Sequence, residues 1–169
     1  HRRRYFEPFV GGGAVFFAVQ PRESHLFDLN PDLVEAYCVV RDQVDALIDA
    51  LGCHTNDAGH FYHVRAQDVR CLTPIERAAR LIYLNRTCFN GLYRVNRSGQ
   101  FNVPFGKYAN PKICNGDGLR AASRALQGVT IQQADFSEAT RSARAGDFVY
   151  FDPPYVPTSP TSSFTAYYS

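Results

Sequence analysis

The chain contains no methionine, and its apolar residues are never gathered into the run of about 20 that a membrane-crossing helix requires. Lacking an initiating residue of its own, it reads as a fragment. His1-Arg2-Arg3-Arg4 leads straight into a short apolar stretch with no secretory signal before it, so a cytoplasmic protein is expected. The five cysteines (Cys38, Cys53, Cys71, Cys88, Cys114) are odd in number and contain no C-x-x-C pair, which argues against a disulfide framework. Cys53, His54, His60 and His63 lie close together, yet their spacing matches no structural zinc pattern and no metal is expected. Acidic residues are missing altogether from Arg77 to Gly116, whereas Arg77, Arg80, Arg86, Arg94, Arg97, Lys107 and Lys112 are basic. The overall charge of +2 conceals this asymmetry. A one-signed stretch of this kind suits a surface that faces a polyanion.

What is present is an ordinary globular composition. With 45% hydrophobic and 20% charged residues, the 169-residue chain can bury one real core. Tyr5-Phe6-Glu7 is a short strand candidate, followed by the loop Pro8 to Gly13 and a helix over Ala14 to Val19. Ser24 to Asp28 is a second strand. Asn30-Pro31 starts a helix expected to run to about Leu51, with Leu33, Val34, Tyr37, Val40, Val44, Leu47 and Leu51 on one stripe. Residues 52–70 read as loop. Thr73-Pro74-Ile75-Glu76 is a capping box that opens a helix over 74–87. Residues 88–116 read as an irregular insertion or hairpin. A helix near 117–127, a strand at 129–133, a short helix after Ser137 and a strand at 147–151 complete the pattern. Alternating strands and helices predict an α/β fold with a largely parallel sheet.

The sharpest chemical feature is Asp152-Pro153-Pro154-Tyr155, directly after the apolar strand Phe148 to Phe151. Ligands of parallel sheets bind at the C-terminal ends of strands, where this tetrapeptide must lie. The prolines stiffen the loop and leave carbonyl oxygens exposed. A carboxylate (Asp152) and a backbone carbonyl (Pro153) can accept both hydrogens of an aromatic amine such as that of adenine. The nitrogen lone pair is thereby freed for attack, and Tyr155 offers a face on which the base can stack. At the end of the second strand, Asp28 can accept from ribose hydroxyls. Asp135-Phe136, after the strand around Ile131, can meet the adenine of a nucleoside cofactor through its carboxylate and its ring.

These motifs resemble those of the Dam-type (D12 class) N6-adenine DNA methyltransferases. Asp-Pro-Pro-Tyr is similar to the catalytic motif of amino-group methyltransferases. Glu7-Pro8-Phe9-Val10-Gly11-Gly12-Gly13 resembles the first cofactor motif of the class, and implies that Glu7, Pro8, Phe9, Val10, Gly11 and Gly13 bind S-adenosylmethionine with Asp28, Asp135, Phe136 and Asp152. Leu84 to Asn96 and Gly99 to Tyr108 resemble its target-recognition segment, where aromatics alternate with basic residues. The resemblance places Phe89, Asn90, Leu92 and Arg94 on the target bases, with Phe89 a candidate wedge for extruding the target adenine. It places Arg86, Lys107 and Tyr108 on phosphates or flanking bases, with Gly91, Asn96, Arg97 and Pro104 completing the DNA surface. Ser163-Phe164-Thr165-Ala166-Tyr167 resembles the segment that follows the catalytic loop.

The resemblance implies a Rossmann-like S-adenosylmethionine-dependent methyltransferase sheet, with residues 1–55 and 128–169 forming an incomplete catalytic domain and 56–127 an inserted target-recognition segment. It implies an adenine-specific enzyme acting on double-stranded DNA, with GATC or a longer site as target. No obligatory protein partner is implied; the expected state is a monomer, nucleoid-associated in a bacterium or encoded by a phage. Two departures stand out. The Gly-Gly-Lys segment that precedes the first motif in the family is absent, as are further C-terminal strands. An RNA or ribosomal amino-methyltransferase, and an inactive DNA-binding remnant, are the alternatives left open.

Overall fold

The computed structural model describes residues 3–153, so Pro154, Tyr155 and residues 163–167 lie outside the described residues. In chain order the elements are β1 (Tyr5–Glu7), α1 (Ala14–Val19), β2 (Ser24–Asp28), α2 (Pro31–Asp42), α3 (Val44–Gly52), α4 (Ala58–Ala66), α5 (Pro74–Thr87), α6 (Gly116–Leu126), β3 (Thr130–Gln133), α7 (Phe136–Ser142) and β4 (Phe148–Val149). The chain divides into two compact units, one holding the described residues up to Leu29 and from Gln132 onward, the other Asn30–Ile131.

The first unit carries the sheet, whose strand order is β3-β2-β1-β4. The central strand β1 runs parallel to both neighbours, with Tyr5 opposite Ser24 on one side and Phe148 on the other. At the far edge the Ala134 N–H donates to the Asp28 carbonyl at 3.1 Å, so β3 ends beside the end of β2. This is the parallel α/β class that the strand–helix alternation predicts. Phe6 and Phe27 pack with Ala139 of α7, and partly buried Ala134, Ala143 and Val149 surround them. The other end of the sheet is pinned by Arg4, whose guanidinium meets the Asp147 carboxylate at 2.6 Å. That contact holds the Asp147 pKa down at about 2.

One buried carboxylate interacts with the start of α1. The N-cap residue of that helix is Gly13, which has no side chain to accept from the first-turn N–H groups. Glu7, only 3% exposed, ends β1 behind that turn: its Oε2 takes a hydrogen bond from the Tyr5 hydroxyl at 2.6 Å, and the Phe16 backbone N–H favours its charged form. Burial pushes the Glu7 pKa above its ordinary value of 4.5, against the opposing pull of those two donors.

The second unit is helical. Leu47, Leu51, Phe61, Val64, Tyr83 and Leu84 are all essentially buried and join α3, α4 and α5 into one core. Pro74 and the reciprocal Thr73–Glu76 capping box start α5 at the residue the sequence predicts. Arg77 on α5 grips Glu35 on α2 through paired bonds of 2.6 and 2.7 Å. The helix expected to continue from Pro31 to Leu51 instead breaks at Gln43, where φ is −140° and ψ is 38°. The reason is tertiary. The Arg41 carbonyl, which would accept from residue 45 in a continuous helix, accepts instead from Ser123 Oγ (3.0 Å) and Gln127 Nε2 (2.8 Å) of α6. Residues 52–70 also depart from the sequence expectation, because α4 lies among them. Its N-terminus is capped by Asp57, whose Oδ1 accepts from the His60 N–H at 2.9 Å, and its last turn by Arg80. The Arg80 guanidinium donates to the Val64 and Arg65 carbonyls at 2.9 and 2.8 Å. Among the described residues no helix is long and apolar enough to cross a membrane.

After α5 the chain makes an irregular excursion and returns to its starting point. Phe89 N–H donates to the Pro104 carbonyl and Gly106 N–H to the Thr87 carbonyl, both at 2.8 Å. A Cβ at Gly106 would lie 2.6 Å from the Cys88 carbonyl oxygen, closer than any relaxed contact. Gly106→Ala should therefore lower stability by about 1–3 kcal/mol, read as a fall in the thermal midpoint, because the Cys88 backbone resists the added methyl and the Tyr108 ring crowds it further. An unchanged midpoint would mean that the two crossing segments are not held together. Glu7→Gln tests the buried carboxylate. The folded chain binds the Glu7 proton more tightly than the unfolded chain, so Glu7 favours folding below its ordinary pKa and that contribution fades as pH rises through the raised value. The stability of the native chain relative to Glu7→Gln should thus decline between about pH 4 and neutrality. A native chain that gains on the variant over this range would contradict the assignment.

Candidate active site and nucleic-acid interface

The C-terminal ends of β2, β1 and β4 carry the residues in which the sequence places the chemistry. The loop 8–13 is tied to β2 by two bonds: Val10 N–H donates to the Phe27 carbonyl at 2.9 Å, and Gly11 N–H to Asp28 Oδ2 at 3.1 Å. Gly13 N–H then turns back to the Val10 carbonyl at 2.7 Å. Gly11 and Gly13 have φ of 47° and 67°, a left-handed backbone that a side chain would strain. Gly12 between them is exposed, and a Cβ built on it meets nothing within 4 Å. The loop is therefore held from behind and open in front.

Aromatic rings line the adjoining surface. Phe9 stacks on Phe136 with ring centres 5.8 Å apart, and Phe151 tilts against Phe9 at 6.4 Å. Phe136 and Phe151 are each 46% exposed, an unusual degree of solvation for rings of this size. Asp135 caps α7, accepting from the Ser137 N–H at 2.9 Å, and that donor holds its carboxyl below the usual carboxylate range. Beyond β4 the Tyr150 N–H donates to the Phe6 carbonyl at 2.9 Å, extending the pairing towards Asp152. Asp152 and Pro153 are exposed, and the charge of Asp152 contributes to the upward push on Glu7. The structure thus gathers Phe9, Gly11, Gly13, Asp28, Asp135, Phe136 and Asp152 within the first unit. Glu7, Pro8 and Val10 are buried beneath this surface. Pro154 and Tyr155, named with Asp152 in the sequence reading, lie outside the described residues.

In the second unit the excursion displays the other set. Asn90 and Gly91 turn a left-handed corner with φ of 54° and 59°, and the Asn85 side chain donates to the Gly91 carbonyl at 2.7 Å. Phe89 is 50% exposed at this corner, and Leu92 lies partly open beside it. Arg86, Arg97, Pro104, Lys107 and Tyr108 are also exposed. Asn96 plays an internal part: its Oδ1 accepts from the Ser98 and Gln100 N–H groups at 3.0 and 2.9 Å, closing the turn between paired Val95 and Phe101. Arg94 reaches across this ribbon, its Nε donating to Asn102 Oδ1 at 2.7 Å.

Asn102 and Asn56, which the sequence reading did not single out, hold residues of this candidate surface in place. Asn56 Nδ2 donates to the Tyr108 carbonyl at 2.7 Å and so holds the outgoing end of the excursion. The sequence does carry a signal for Asn102, which stands between the buried residues Phe101 and Val103 and so faces the opposite side of an extended segment. A cavity of about 840 Å³ lies behind the ribbon, lined among others by Tyr62, Arg65, Arg77, Arg80, Tyr93 and Gln100. Of its arginines, Arg65 donates to the Val103 carbonyl at 3.1 Å, Arg77 and Arg80 are committed as described above, and exposed Arg70 pairs with Asp68 at 2.7 Å. His54 Nδ1 and His60 Nε2 are 2.9 Å apart, and His54 stacks on Tyr83. Among the described residues no group of three or more metal-ligating side chains is found.

Comparison with known proteins gives a consistent result. The description "D12 class N6 adenine-specific DNA methyltransferase" matches over residues 1–169. The chain is 43% identical to type II methyltransferase M1.LlaDCHI of Lactococcus lactis subsp. cremoris, over 96% of this chain and 60% of that protein. It is 42% identical to type II methyltransferase M.MjaIII of Methanocaldococcus jannaschii, over 98% and 63%. It is 36% identical to the DNA adenine methylase of Escherichia coli (strain K12), over 96% and 60%. The chain therefore spans about three fifths of the length of these curated relatives. Its parallel sheet is that of a Rossmann-like methyltransferase, and the chain belongs to the D12 class of N6 adenine-specific DNA methyltransferases.

Proposed function

We propose that this chain is the cofactor-binding and target-recognising part of an enzyme that transfers a methyl group from S-adenosylmethionine to N6 of adenine in duplex DNA, with GATC as target. In this reading residues 1–55 and 128–169 do the chemistry, and 56–127 recognise the target. The observation that carries it is the gathering, at the tips of one parallel sheet, of an anchored glycine loop, the carboxylates of Asp28 and Asp152, and the solvated ring of Phe136. The likeness of residues 84–108 to the recognition segment of Dam-type enzymes supports the choice of target. The protein works in the cytoplasm as a monomer, without an obligatory protein partner.

The residues at these strand tips fit a nucleoside cofactor. Asp28 presents a carboxylate at the end of β2, the open side of Gly12 lets a ligand approach the backbone, and Phe136 offers a ring face. When bound, S-adenosylmethionine supplies an electrophilic methyl group carried on sulfur. The protein's own task is to prepare the amine. Asp152 and the Pro153 carbonyl accept the two amino hydrogens of adenine, drawing the nitrogen towards tetrahedral geometry and its lone pair out of the ring. Holding the amine in that attitude lowers the barrier by orientation. Asp152 remains beside the nitrogen to receive a departing proton. Phe89, Asn90, Leu92 and Arg94 meet the target bases, with Phe89 filling the gap left by the extruded adenine, while Arg86, Arg97 and Lys107 hold phosphates.

The experiment uses the chain extended to the length of its relatives and radiolabelled cofactor. Label should appear at N6 of adenine in duplex DNA; incorporation into ribosomal RNA alone would overturn the proposal. Asp152→Ala should reduce kcat by about 10²–10³-fold or more while leaving binding of DNA and cofactor measurable. Sustained turnover in that variant removes Asp152 from the mechanism. Phe136→Ala should act chiefly on cofactor KM, and an effect confined to DNA affinity would assign this ring elsewhere.

A further inference from the structure

We propose that Asn102 is a positioning residue for target discrimination: it holds the Arg94 guanidinium by one edge so that the other edge is presented, already oriented, to a guanine. This rests on the proposed reading of Arg94 as a base-contacting residue. A guanidinium has two edges with paired donors, one formed by Nε and Nη2 and the other by Nη1 and Nη2. Asn102 occupies the first. Its Oδ1 accepts from Arg94 Nε at 2.7 Å, and its backbone carbonyl lies 3.5 Å from Arg94 Nη2. Among the described residues Nη1 has no hydrogen-bond partner, and Arg94 is exposed. The remaining edge therefore carries two parallel N–H groups, the pattern that matches O6 and N7 of guanine in the major groove.

The tether is itself well anchored. The Asn102 N–H donates to the Arg94 carbonyl at 3.0 Å, so the two residues face each other across the ribbon. Phe101 and Val103 on either side are buried, and the Val103 carbonyl accepts from Arg65. Asn96 closes the turn one step beyond. Asn102 thus moves with a fixed backbone, while an untethered arginine would sample many rotamers and lose that freedom on binding. A side chain oriented in advance avoids that loss, and the benefit is felt only on a duplex that offers guanine at the contacted position.

The test is a double-mutant cycle in the extended chain, using target duplexes in which each guanine in turn is replaced by 7-deazaguanine, which lacks the N7 acceptor. Arg94→Ala should lower kcat/KM on the cognate duplex and abolish the penalty for 7-deazaguanine at one position. Asn102→Leu, which keeps the volume and removes the acceptor, should lower cognate kcat/KM by about three- to tenfold and shrink the same penalty. In the Arg94→Ala background Asn102→Leu should have no further effect, whereas a general structural role would lower activity equally in both backgrounds. Asn102→Gln, which restores an amide oxygen, should recover part of the loss. Equal losses on every duplex, or additive losses in the cycle, overturn the proposal for Asn102. If Arg94→Ala leaves the 7-deazaguanine penalty intact everywhere, the base-reading role of Arg94 falls instead.

Discussion

The loop that defines the candidate cofactor surface depends on one buried acid. Glu7 ends β1, and the Phe16 N–H in the first turn of α1 favours its charged form, so one side chain couples the two ends of residues 8–13. Gly13 could not perform this task, and an ordinary capping serine or aspartate there would have to adopt a left-handed backbone. With no capping side chain at Gly13, residues 11–13 of the loop carry no side chains at all. The bonds from Val10 and Gly11 to β2 then set its curvature. The price is an ionisable group in the interior, relieved by the Tyr5 hydroxyl and the Phe16 N–H.

The arginines of the second unit divide into two populations, which the acid-free stretch of sequence does not distinguish. Arg77 and Arg80 face inward. The first is neutralised by Glu35, and the second by the carbonyls that end α4, where a helix carries partial negative charge. Burial lowers the pKa of Arg80, and the negative charge of Asp32 opposes that shift. Arg86, Arg94, Arg97, Lys107 and Lys112 are exposed. These exposed cations, rather than the whole stretch, form the field that a phosphate backbone would meet.

The sequence reveals the parts of this structure whose cause is local. The capping box at Thr73, the N-cap at Asn30 and the placement of Asp152 after an apolar strand are all written in adjacent residues. The break between α2 and α3 is not, because its cause is a pair of side chains on α6 that claim the Arg41 carbonyl from more than eighty residues away. Helix α4 was equally hidden. Gly59 and the two histidines His60 and His63 give it little intrinsic propensity, and it depends on burial of Phe61 and Val64 and on a cap donated by Arg80. In the candidate site the residue types were legible from motif order. Their division of labour was not, since nothing in the sequence says that Glu7 turns inward, that Asn96 closes a turn or that Asn102 grips Arg94.

The crossing at Gly106 has an evolutionary corollary. The excursion leaves α5 at Cys88 and returns to it at Gly106, so its two feet stand together like those of an Ω-loop. Whatever lies between the feet can be lengthened, shortened or exchanged without altering the distance the helical scaffold must span. If the excursion recognises the target as proposed, such an arrangement would let the recognised sequence change by exchange of a cassette while the strand-tip residues stay as they are.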